Sequence, residues 1–162
     1  MKPAELRALL EEYYRDKLAL WRRHVAAARL VDQYEFNNAY QYVIAREETQ
    51  LQWLREAVEA AGGTQGEAPE PDLGSRRSGE DRLRAILTED ATQTRAFADK
   101  WRDRVPGITD ARNRRMCEVI LGETREHLRF FEQAIAGRDD LLGRRHANVG
   151  TGGGVLPTRW VE

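Results

Sequence analysis

The chain has 162 residues, enough for one domain with a sizeable core, and its 26 Lys and Arg nearly balance 27 Asp and Glu. A formal charge near −1 gives no electrostatic case for nucleic acid or an anionic membrane as partner. A single cysteine, Cys117, excludes an internal disulfide, and no apolar run approaches the roughly 18–20 residues of a membrane span.

Proline and glycine punctuate the chain in few places, and the stretches between them carry helical period. The first helix is predicted from about Pro3, a favoured first-turn residue, to about Leu30, with the stripe Leu6, Leu10, Tyr13, Leu20 and His24. The second is predicted from about Asp32 to Ala61, where Gly62-Gly63 stop it, with the stripe Tyr40, Ile44, Glu47, Leu51, Leu54 and Val58. Residues 64–79, rich in Gly, Pro and Ser, read as a long crossover. A third helix follows from about Glu80 to Val105, with Leu83, Leu87, Asp90, Phe97 and Trp101 on one side. "PGITD" breaks it, and Thr109 or Asp110 can cap a fourth helix to about Ala136. Its stripe is Met116, Ile120, Thr124, His127, Phe131 and Ala134. No alternating run reads as a strand.

Two helical hairpins separated by a long connection predict an all-α four-helix bundle over residues 1–137. Shifting the first half by 77 residues lays "QLQWLREAVEA" (50–60) over "HLRFFEQAIAG" (127–137). The same shift places Leu6 on Leu83, Leu10 on Leu87, Leu20 on Phe97 and Ile44 on Leu121, which predicts an approximate two-fold axis through the core.

Each apolar stripe carries a polar intruder near its middle: Tyr13, Glu47, Asp90, and His127 with Thr124 one turn earlier. A buried unpaired carboxylate costs several kcal/mol, so these positions need partners or a metal. Over residues 3–137 the pattern resembles the ferritin-like superfamily, especially its rubrerythrin-type branch. Such bundles hold two metal ions, and each hairpin contributes a carboxylate from its first helix and Glu-x-x-His from its second. Residues three apart share a helix face, so a carboxylate and an imidazole can grip one ion. Carried across, the second-helix motif becomes Glu47 and Gln50, and the fourth-helix motif becomes Thr124 and His127. Each half keeps one ligand and lacks the other. The first-helix carboxylate falls on Tyr13 or Glu12, and its counterpart on Asp90 or Glu89, while Glu123 is placed to substitute for the missing fourth-helix glutamate.

The resemblance leaves two functions open. One is a structural or interaction protein, in which Glu47 and His127 form a buried ion pair and Gln50, Tyr13 and Thr124 complete a polar network. On this reading the bundle binds no cofactor, or weakly holds a single iron or manganese ion through Glu47, Asp90 and His127. The other is an oxidoreductase with iron or manganese in the bundle and oxygen or peroxide as co-substrate. It would use the same three ligands, supported by Glu12, Glu89 and Glu123.

His24, near the end of its helix, is expected to favour the helix dipole and nothing more. Cys117 reads as a small buried hydrophobe. Residues 138–162 form a glycine-rich, non-helical arm whose apolar end (Val155, Leu156, Trp160, Val161) is expected to dock on the bundle or a partner subunit, with Trp160 as anchor. The first thirty residues are too charged for a signal peptide, and a cytoplasmic homodimer is the expected state.

Overall fold

The computed structural model describes residues 1–73 and 80–142. Within them the chain is all-helical: α1 (Pro3–Ala28), α2 (Tyr34–Ala60), α3 (Glu80–Arg102) and α4 (Ala111–Ile135), with a 3₁₀ turn at Val105–Gly107. Of the arm expected at residues 138–162, residues 143–162 lie outside the described residues, as does the crossover's end, 74–79.

Local chemistry accounts for several of the boundaries. Pro3 opens α1, and the Lys2 backbone N–H donates to Glu5 Oε2 at 2.8 Å. α2 starts two residues after the predicted Asp32. The Asn37 side chain closes the preceding turn by donating to the carbonyls of Ala28 (2.9 Å) and Val31 (3.1 Å). α2 ends in a Schellman pair, Gly63 N–H to Val58 O and Gly62 N–H to Glu59 O, both 2.9 Å. Gly62 has φ 71°, a conformation glycine adopts without a Cβ clash. α3 stops at Arg102, short of the predicted Val105, because Pro106 has no N–H and its ring clashes with the carbonyl four residues back.

Asp110 caps α4 by accepting from the Asn113 N–H at 2.8 Å. Asp110→Ala is expected to cost about 1 kcal/mol in urea unfolding, as removal of such caps does, with no change in helix content at 25 °C. A loss within error would mean that α4 is held by its packing alone.

Each hairpin pairs consecutive helices, α1 with α2 and α3 with α4, and the hairpins meet through α1–α3 and α2–α4. Ion pairs fix the direction: Arg23 with Asp90 and Lys100 with Glu12 make α1 and α3 antiparallel. Residues 63–72 run along α1. The Thr64 N–H donates to Glu11 at 2.9 Å, Arg22 donates to the Ala68 carbonyl, and Arg23 Nη1 reaches the Asp72 carbonyl at 2.9 Å.

Two apolar clusters fill the bundle. One centres on Leu10, Tyr13, Leu54, Trp101, Ile108 and Ile120, the other on Ala27, Tyr40, Ile86, Leu87 and Phe131. On every helix the chain passes from one cluster to the other, and the buried polar side chains fall at that junction. They are Lys17, Arg23 and His24 on α1, Glu47 and Gln50 on α2, Asp90 and Thr94 on α3, and Thr124 and His127 on α4.

Candidate functional site

The junction is a layer of charge enclosed by hydrocarbon. Lys17 and Glu47 are both 0% exposed, and Lys17 Nζ lies 2.9 Å from Glu47 Oε1. The same nitrogen donates to Thr124 Oγ1 at 3.1 Å, and Thr124 passes its own hydroxyl hydrogen to the Ile120 carbonyl at 2.8 Å. The other Glu47 oxygen meets His24 Nδ1 at 2.8 Å. Burial, the largest single influence, pushes the Glu47 carboxyl up. His24 and Lys17 together outweigh it and hold the group down at about 2.

Asp90 is the second buried anion. Arg23 Nε donates to its Oδ1 at 2.5 Å, and the Tyr40 hydroxyl donates to its Oδ2. Burial raises the Asp90 carboxyl against the pull of His24 and Arg23, and raises the Tyr40 phenol with the help of the Asp90 charge. A third cluster lies between α2 and α4, where Arg46 pairs with Glu123 and Gln50 Nε2 donates to Glu123 at 2.5 Å.

The 77-residue offset organises these contacts. Arg46 and Glu123 are 77 apart, so their ion pair maps onto itself and straddles the internal axis. The bond from the Tyr13 hydroxyl to the Cys117 carbonyl (3.1 Å) maps onto the bond from Tyr40 to Asp90. Lys17 maps onto Thr94 and His24 onto Trp101, and all four are buried. Buried positions recur at this offset while charge does not, because α1 supplies a cation where α3 has only a hydroxyl.

The residues singled out from sequence divide accordingly. Glu47, Asp90, Gln50, Thr124 and His127 all lie in the buried layer, but Glu47 and Asp90 belong to separate ion pairs. The hydrogen-bonded partners of Glu47 are Lys17 and His24, whereas His127 Nδ1 has no hydrogen-bond partner. The expected Glu47–His127 pair is therefore replaced by Glu47–Lys17, whose flexible stem reaches across the core from α1. Tyr13 stands apart from the network, packed edge-on against Trp101 at 4.5 Å. Glu12 is bound at the surface by Arg104 at 2.8 and 2.7 Å. Arg104 first, then Lys100, brings its carboxyl down to about 2. Glu89 is exposed and accepts from Gln93 at 2.8 Å. His24, expected at a helix end without a role, is fully buried on Glu47. Cys117 is buried as expected, and burial pushes its thiol up to about 12.

This donor set does not fit a pair of metal ions. Both oxygens of Glu47 and of Asp90 are already engaged, and Glu123 is taken by Arg46 and Gln50. The Lys17 ammonium and the Arg23 guanidinium stand where a divalent cation would need negative charge. Among the described residues, no three His, Cys, Asp or Glu side chains are grouped to hold an ion. His127 Nδ1 and Gln50 Oε1 are buried and unpartnered, but no anion is free to join them. Chemically, the layer can hold register between hairpins and store charge in a dry interior.

Comparison with protein-family models, with curated proteins and with solved structures finds no match to this chain.

Proposed function

We propose that the chain is a ferritin-like bundle in which a protein cation has taken the place of the metal pair, and that it serves as a structural or interaction protein. The observation that carries this reading is the position of Lys17 Nζ, 2.9 Å from Glu47 and 3.1 Å from Thr124. Those two residues are the counterpart motif positions of the two halves, 77 apart. A metal ion would bridge the halves at this point, and the ammonium does so instead. The ferritin-like assignment is supported by the internal offset and by residues 63–72 running along α1. Antiparallel α1 and α3 also fit a connection that spans the length of the bundle.

The Lys17 side chain compensates Glu47 without an open coordination position, so the layer gives hairpin register and no reactive centre. Elemental analysis of tag-free protein loaded with ferrous iron or with manganese tests the proposal. Well under one equivalent of metal is expected in wild type and in His127→Ala alike, together with a lower melting temperature for the variant. Stoichiometric metal lost on His127→Ala would overturn the reading and favour an iron or manganese oxidoreductase using Glu47, Asp90 and His127.

A further inference from the structure

A groove of about 360 Å³ opens between α2 and α4, beside the chain that follows α4. Its floor is Tyr42, Phe130, Leu141 and Leu142, and the Tyr42 and Phe130 rings meet edge to face at 5.8 Å. Large hydrophobic side chains exposed to solvent are few among the described residues: Met1, Tyr34, Tyr42 at 41% and Leu142 at 43%. Two of these four line this one groove, beside the acidic side chains of Glu126 and Asp140. The last described residue, Leu142, is itself part of the wall.

We propose that the groove is the docking site for residues 155–161 of the same chain, with Trp160 seated on the Tyr42–Phe130 ring pair. The twenty residues after Leu142 put Val155, Leu156, Trp160 and Val161 beyond a run of three glycines, far enough along to turn back. Trp160 follows Arg159, and the segment 143–162 has three arginines against one glutamate, a charge of +2 with His neutral, opposite Glu126; the other lining carboxylate, Asp140, pairs with Arg138 of the same groove at 3.6 Å. An indole flanked by a guanidinium matches an aromatic surface with a carboxylate, Glu126, at its edge. Seventeen residues lie between Leu142 and Trp160, so reach is not limiting, and the closure cost grows only slowly with length. Attachment also favours the chain's own segment over a second copy, because it acts at an effective concentration on the order of millimolar. The docked segment would cover Tyr42 and Phe130, whose rings lie 6.3 Å from that of His127. This inference stands on the groove alone, whatever the metal analysis shows.

Disulfide trapping in the full-length chain tests it. Thr158→Cys is combined with Gln133→Cys on the groove rim or, as control, with Arg55→Cys beside the groove between α1 and α2. Mild oxidation is expected to link positions 133 and 158 within one chain at least about tenfold faster than 55 and 158, and adding Trp160→Ala should remove most of that advantage. Equal rates at the two sites would overturn the proposal. So would a fast link that joins two chains, which would give the groove to a second copy's arm.

Discussion

Lys17→Met is expected to lower the free energy of unfolding by about 3–5 kcal/mol, the cost of removing one partner from a buried ion pair. Methionine keeps most of the stem's volume, so the loss would report charge and hydrogen bonding more than a cavity. Glu47, 0% exposed, would keep only His24 as a hydrogen-bonded partner, and Thr124 Oγ1 would lose its donor at 3.1 Å. Adding Glu47→Leu removes the stranded anion and is expected to recover most of the loss, because an apolar pair of similar volume often matches a buried salt bridge. Urea unfolding of wild type, both single variants and the double variant yields the coupling energy directly. A Lys17→Met cost below about 1 kcal/mol would sink the idea that Glu47 depends on this cation, since such small values belong to exposed pairs.

The helices were legible because their punctuation is strong: Pro3, Gly62-Gly63, Pro106 and Asp110 each act within one turn of where they stand. The internal offset was legible because packing repeats a pattern of size and polarity that survives in the letters. The partners of the polar layer were harder to read. Lysine is read by default as a surface residue, and Lys17 is fully buried. A signal was nevertheless present. The α1 stripe runs Tyr13, then Leu20, and the α3 stripe runs Asp90, then Phe97, each skipping a turn. Positions 17 and 94 fill those gaps, and both are buried. Helical periodicity alone therefore places Lys17 on the core face. Arg23, and the bond from Tyr40 of the α2 stripe to Asp90, were missed for another reason. Their contacts with Asp90 are made by atoms at the end of a long or aromatic side chain, and periodicity reports only where a Cα–Cβ bond points. The choice of Lys17 over His127 as partner of Glu47 depends on side-chain reach across the bundle, which no one-dimensional pattern contains.

Acidification is expected to weaken the fold through His127 before most carboxylates protonate. Burial is the main cause that lowers the His127 imidazole to about 3, with Glu47 pulling the other way. In the unfolded chain the ring titrates near ~6.5. Between those values the unfolded chain binds a proton that the native state does not, so stability is highest above pH ~6.5 and falls as pH drops toward 3. One proton corresponds to about 1.4 kcal/mol per pH unit, hence about 2–3 kcal/mol between pH 6.5 and 4.5. Glu47 adds to the fall at lower pH, since its contribution is present above 4.5 and lost as pH falls toward about 2. Asp90 works in the opposite sense, because burial raises its carboxyl and the native state takes up that proton first. Both carboxylates are shared by wild type and His127→Leu, so the difference between their urea curves reports the imidazole together with its pull on Glu47. The variant is expected to gain about 2–3 kcal/mol on wild type as pH goes from 7 to 4.5, because its core has no ring to protonate. Parallel curves would show that His127 reaches its proton in the folded state. The ring nitrogen would then have a partner, and the layer would be open at the α4 side.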